Sequence, residues 1–483
     1  MRATRWMAAP LLALMLPMAG AAAADEPGRG PAAEAEGAVS MYVADFVATA
    51  ATGAAMNDAG DVVGWSYGDP GCGPFCLPVL DSVVWRGGKR IVLPAVPGYA
   101  GNFPRSINNQ GWVAGLAGYP GAASHAVVWK PNGDTYQAID LGVLPGTTIS
   151  EAVGIDDLGR VVGWSTTGSI PPTASAFLWT ESGGMVDLSA QGFPDEQPLA
   201  ISPGGTVATP SAWYRLDDPG SVSFLPAAPP GFAVGTYATA INDAGDQARF
   251  LVSISGENPV YLFRFHHEGT WQILSFAGTG HLSTYGIGSI NAAKDVTATV
   301  QSVAVIATGP DGMAEPLQSF LSPAYGGASI GSGGPMNGSG QVLVRLMIGQ
   351  SQRLMKLTPA SPCVSDCTRV SQVLMHGKFV QDPAEPGSCS PDGAAYNVAR
   401  TRVVVTDETG APLAGVLVRG RFLDDYWTDK PVSGTTNAAG FVNFGNKGPC
   451  GVGALAFLVD EASVRPRVFD RTTGILTKFV IPQ

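Results

Sequence analysis

Met56-Asn57-Asp58-Ala59-Gly60-Asp61-Val62-Val63-Gly64 is one copy of a motif that recurs along this chain. It returns as Ile107-Asn108-Asn109-Gln110-Gly111-Trp112-Val113-Ala114-Gly115 and as Ile155-Asp156-Asp157-Leu158-Gly159-Arg160-Val161-Val162-Gly163. Looser copies begin at Ile201, Ile241, Ile290 and Met336. From Asn57 to Asn337 the successive spacings are 51, 48, 46, 40, 49 and 46 residues. Asx side chains bond nearby backbone amides, and glycine accepts positive φ, so Asn-Asp-x-Gly reads as a hairpin turn with a G1-type bulge. The following Val-Val-Gly reads as a buried strand, with glycine where backbones approach closely.

About twenty residues further on comes a second recurring element. It reads Ser82-Val83-Val84-Trp85, then Ala126-Val127-Val128-Trp129, then Ala176-Phe177-Leu178-Trp179. Ala212-Trp213-Tyr214 and Tyr261-Leu262-Phe263 are degraded forms of it. A polar hairpin and another strand follow, as in Tyr136 to Leu141. Each unit thus offers about four short strands, the content of a propeller blade. The segment Tyr42-Val43-Ala44-Asp45-Phe46 matches the last strand of a unit but precedes the first turn motif. The last unit stops early, at Arg353 to Leu357, so the N-terminal strand is expected to complete it. Closure of that kind removes open sheet edges.

The tripeptides His125-Ala126-Val127 and Ser175-Ala176-Phe177, together with the turn motif, make residues 50–205 similar to the extracellular HAF repeat family. The resemblance implies export and a propeller-like fold, and it brings no catalytic residues. Pro203 in the fourth turn and the missing Trp of units five to seven depart from the pattern.

Composition agrees with many short strands and tight turns. Among 483 residues, Gly is 63, Pro 38, charged residues 14% and hydrophobic residues 45%. Such a chain folds rather than staying disordered. Arg2 and Arg5, the apolar run Met7–Met18 and Ala21–Ala24 read as a signal peptide over residues 1–24. The net charge is −11, and the acid excess lies in the repeat region. An acidic body without a basic cluster speaks against nucleic acid and anionic membranes.

After Pro359 the pattern changes. Arg402–Asp407, the turn Glu408–Gly415, Val416–Phe422, the turn around Asn437 and Gly440, and the apolar Ala454–Val459 read as an antiparallel sandwich. It resembles the immunoglobulin-like modules appended to secreted bacterial enzymes, which implies an accessory role. The expected organisation is a signal peptide over 1–24 and a linker over 25–39. An about seven-bladed propeller follows over 40–358, then a connector over 359–374 and the sandwich over 375–483.

Six cysteines in an exported chain suggest disulfides among Cys72, Cys76, Cys363, Cys367, Cys389 and Cys450. Six allow 15 pairings, and two local loops with one long bridge is the expected set. Other candidate chemistry is sparse. Gly327-Ala328-Ser329-Ile330-Gly331 matches a nucleophile elbow but reads as a Gly/Ser loop in an all-β region. The run from Gly451 to Ala456 mimics a dinucleotide fingerprint without opening a helix. His266-His267 reads as a hairpin tip. Asp424, Asp425 and Asp429 suit either a solvated loop or calcium. Trp112, Tyr119 and Tyr426 suit either sugar stacking or packing. The expected protein is an all-β, monomeric, non-catalytic extracellular binding or adhesion protein with no cofactor and no metal. Its ligand would be a carbohydrate or another protein. A hydrolase acting on an extracellular polymer is the alternative, and it requires carboxylates or His converging on the propeller funnel.

Overall fold

The computed structural model describes residues 41–49, 51–68, 79–119, 123–168, 174–254, 260–278, 286–349, 351–380, 396–424, 429–449 and 455–480. The signal peptide and linker expected over 1–39 lie outside these residues, as do Cys72, Cys76, Cys389, Cys450, Asp425, Tyr426 and the glycines of the 451–456 run up to Gly453.

The described chain is all-β. Between Tyr42 and Pro359 it forms seven four-stranded antiparallel sheets, and beyond Cys367 two further four-stranded sheets. Each of the first seven carries one copy of the turn motif between its first and second strands. In the first sheet these strands are Ala51–Met56 and Val62–Gly68. The Gly60 amide donates to the Asn57 carbonyl (3.0 Å) and the Asn57 amide to Asp61 (3.1 Å). Gly60 has φ 79°. This is the turn chemistry that the motif calls for, with glycine at the left-handed position.

The Val-x-Gly of the second strand has a steric cause. A Cβ built on Gly115 would lie 2.2 Å from the Phe103 carbonyl oxygen on the neighbouring strand. Only glycine tolerates that approach.

The recurring aromatic closes the space between consecutive sheets. Trp129 is fully buried among Val63, Val84, Val113 and Val127, and its indole N–H donates to the Pro94 carbonyl (2.9 Å). Trp85 packs in the same way with Leu343 and Leu354 of the seventh sheet. Burying such a side chain contributes ~2–3 kcal/mol, and the attached N–H bond removes the cost of its polar atom.

The seventh sheet is assembled from both ends of the repeat region. Its strands are Ala328–Met336, Val342–Ile348 and Ser351–Pro359, and the fourth is Tyr42–Thr49. Tyr42 pairs with Pro359, Ala44 with Leu357 and Phe46 with Met355.

The last two sheets face each other. One has Cys367–Val380 and Tyr396–Thr406 at its centre, the other Leu417–Asp424 and Leu455–Ser463. Val370, Val403, Phe422 and Phe457 fill the space between, with the two phenylalanine rings 4.8 Å apart edge-to-face. The connector expected over 359–374 is therefore too long, because a strand begins at Cys367. Two prolines and two cysteines hid it. Val370 and Val373 are buried in strand positions, and the Cys363–Cys367 disulfide closes the turn in front of them.

Sheet seven and the sandwich share one continuous core. Arg471 reaches from the sandwich to the Asp45 carboxylate (2.5 Å), the Ala44 carbonyl and the Tyr325 hydroxyl (2.9 Å). Ser322 Oγ donates toward the carbonyls of Arg471 and Thr472. The strand Tyr42–Thr49 is thus held on one side by its ladder and on the other by the sandwich.

Candidate functional site

The first residue of each motif copy is apolar: Met56, Ile107, Ile155, Ile201, Ile241, Ile290 and Met336. All seven line one cavity of about 490 Å³. The residues two places later in each copy, Asp58, Asn109, Asp157, Pro203, Asp243, Ala292 and Gly338, line it too. One cavity is therefore faced by the first strand of each of the seven repeat sheets, with an apolar band and an Asx-rich band stacked along it.

The Asn between those bands does two jobs. Asn57 Oδ1 accepts its own turn's Asp61 amide (2.9 Å), while its Nδ2 donates to the Asn108 carbonyl of the next unit (3.1 Å). Asn108 repeats this with Asp156 (2.9 Å), and Asn242 with Asn291 (3.0 Å). Asn337 donates to the carbonyl of Asn57 (3.0 Å). Units three to five are linked by other groups. The Asp157 amide donates to Pro203 O (2.8 Å), and the Gly204 amide to Asp243 Oδ1 (2.7 Å). Asn291 Nδ2 lies 3.9 Å from Met336 Sδ. The last unit thus contacts the first through Asn337 and Asn57.

The second Asx adds a parallel set. Asp58 accepts the Gly338 amide (2.6 Å) and Asn109 Nδ2 (2.9 Å), and Asp157 accepts the Asn109 amide (2.8 Å). The turn motif by itself places these side chains on their own hairpins. The signal was their recurrence one place after the Asn, which a lone turn does not require.

Arg105, in the lining of the cavity, donates to the Glu151 carboxylate at 2.6 Å. The Glu151 side chain is 3% exposed, so this pair neutralises what would be a costly isolated charge.

His266 and His267 form a hairpin tip as expected, and it packs on its own unit's Asp246 and on Lys294 of the next unit. Asp246, fully buried, accepts the His267 amide (3.0 Å) and lies 2.9 Å from the His267 imidazole Nδ1. Burial pushes the Asp246 carboxyl up, but these donors, Asn242 and Lys294 outweigh it and hold it down at about 2. Asp246, His266 and Glu268 could together ligate a metal. Lys294 Nζ already stands among them, 3.3 Å from Asp246, 3.4 Å from His266 and 3.6 Å from Glu268. Lys294 adopts φ 67° where the other six copies place glycine, so a lysine in the strained position supplies the cation there.

The remaining candidates separate. Trp112 lies beneath Lys130 Nζ (4.2 Å) and against Gly159 of the next turn, a packing role. Tyr119 is 63% exposed and stands outside the cavity. Ser329 lies on the strand Ala328–Met336, which corrects both the loop expected there and any elbow reading, since no helix follows. Asp429 accepts from Arg421 (2.7 Å) and is an ion-pair partner. Of the six cysteines, Cys363 and Cys367 are bonded to each other.

No protein-family model matches the chain, and no curated protein matches it. Among solved structures it is similar to one of two prolyl endopeptidases, at 10% identity and a TM-score of 0.38, covering 74% of this chain and 55% of that one. The chain thus spans about half the length of that enzyme. It is also similar to a mutant of AofleA from Arthrobotrys oligospora, at 11% identity, TM-score 0.30, 84% of this chain and 90% of that one. A third is an ulvan lyase, at 11% identity, TM-score 0.23, 92% and 94%. At these values none of them informs the chemistry of the cavity. Among the described residues no helix is long and apolar enough to cross a membrane.

Proposed function

We propose that residues 42–359 close into a seven-bladed β-propeller of the HAF-repeat kind, that an immunoglobulin-like sandwich follows, and that the chain is an exported, non-catalytic binding protein taking its ligand in the axial cavity. The observation that carries this reading is the single cavity lined by the first strand of all seven sheets. A rigid frame with a concave, partly apolar site and convergent polar groups suits ligand capture. The acceptors along it, Asp58, Asp157, Asp243 and backbone carbonyls, match a ligand rich in hydroxyl or amine donors, such as a saccharide or a polar protein segment. The hydrolase alternative needs one carboxylic acid and one free carboxylate across a substrate. Asp58, Asp157 and Asp243 already accept amide N–H groups, and Glu151 is paired with Arg105, which favours binding.

The test is thermal unfolding of the chain from Asp25 onward against neutral oligosaccharides, cell-wall fragments and Ca²⁺. A ligand at 100 times its dissociation constant adds ~2.7 kcal/mol. A shift with one class that disappears when Ala54, in the cavity wall, is changed to Leu supports the reading. A shift unaffected by Ala54→Leu overturns the assignment to the cavity.

A further inference from the structure

A second concavity lies away from the axial cavity, where the first and seventh sheets meet. It has a volume of about 270 Å³ and is lined by Ala51, Thr52, Trp65, Tyr67, Leu80, Arg345 and Gln352. Trp65 and Tyr67 are two apart on the strand Val62–Gly68, so both project to one face. Leu80 pairs directly with Tyr67, and Thr52 with Trp65. Tyr67 is 46% and Leu80 55% exposed, so a ring-sized apolar platform faces water.

Arg345 stands against this platform from the seventh sheet. Counting eight residues on from the motif Asn, it holds the place of Trp65, Leu116 and Trp164 in the first three copies. The guanidinium makes no ion pair and no hydrogen bond among the described residues, in a chain of net charge −11. Gln352 adds an exposed amide beside it. An unpaired arginine presents a planar fork matched to a carboxylate, and an aromatic face accepts the C–H side of a sugar ring. The volume falls just below the ~300–1,000 Å³ of sites that enclose drug-sized ligands, so one ring fits rather than a chain segment.

We propose that this seam pocket binds a single acidic pyranose, a uronate residue, with the ring on Trp65 and Tyr67 and the carboxylate on Arg345. This site is separate from the axial cavity and does not depend on it.

Isothermal titration of the full chain with sodium glucuronate, an oligogalacturonate trimer, glucose and sodium acetate tests it. The expected result is binding of glucuronate or the trimer, with glucose and acetate each at least tenfold weaker. Arg345→Gln should weaken uronate binding tenfold or more, and Tyr67→Ala likewise, with the melting temperature of Arg345→Gln unchanged. Ala54→Leu should leave it intact, which separates failure here from failure of the axial reading. Equal affinity for acetate would reduce the site to a simple anion contact and overturn the proposal. Equal affinity for glucose, or no binding of either uronate, would overturn it as well.

Discussion

Replacing Arg471 by Ala removes the side chain that joins the sandwich to the strand Tyr42–Thr49. The guanidinium makes three contacts there, to Asp45, to the Ala44 carbonyl and to the Tyr325 hydroxyl. A hydrogen bond to a charged group contributes ~1.5–3 kcal/mol, and breaking a buried ion pair costs ~3–5 kcal/mol. The Asp45 side chain is 36% exposed and keeps its bond from Thr358, so water takes back part of that loss. Tyr325 likewise keeps its bond to Ala44 O (3.1 Å). The expected cost is therefore ~3 kcal/mol. Guanidinium-induced unfolding followed by tryptophan fluorescence and far-UV circular dichroism reads it out. Because sheet seven and the sandwich share one core, both probes should shift together. Arg471→Lys keeps the charge but loses the fork, and should fall between the two. A loss below ~0.5 kcal/mol, or separate shifts of the two probes, would refute the idea that the sandwich clamps the strand Tyr42–Thr49.

Three further outcomes follow from local geometry. Gly115→Ala should cost ~2–3 kcal/mol, since its Cβ would meet the Phe103 carbonyl at 2.2 Å, whereas Gly286→Ala, with nothing within 4 Å, should be near neutral in the same denaturation assay. Asp246 has a folded pKa of about 2, below its ordinary 3.8, so its stabilisation is present above pH ~4 and fades as pH falls toward 2. Asp246→Asn should flatten the stability–pH curve in that window and lower stability at pH 7 by ~2 kcal/mol. Changing both Cys363 and Cys367 to Ser opens a bridge spanning four residues and should cost ~2 kcal/mol, read as the drop in unfolding free energy under non-reducing conditions.

Much of this architecture was legible because the repeat states it seven times. The Asn-Asp-x-Gly turn and the Val-rich strand after it each announce a hairpin, and in the first three units the later Trp marks the strand that follows. The N-terminal strand was legible for a different reason: Tyr42–Phe46 is a unit's last strand without its unit. What stayed hidden is relational. Nothing local says that Asn57 Nδ2 leaves its own hairpin for Asn108, because the same side chain also satisfies the turn. Lys294 at a glycine position looks like decay of the motif until His266 and Asp246 are seen around it. Arg345 likewise looks like noise in a weak copy until the first sheet is placed beside it. The strand at Cys367 was masked by prolines and cysteines that read as linker.

In the proposed propeller the seventh unit closes on the first. Gly338 donates its amide to Asp58, 280 residues away in sequence. Hydrogen exchange by mass spectrometry on the peptide spanning Met336–Gln341, compared between the parent chain and Asp58→Ala, tests this directly. Closure predicts faster exchange in that peptide when Asp58 is removed, with the turn at Asn242 unchanged. Identical exchange in the two proteins would contradict it and leave an open array of sheets.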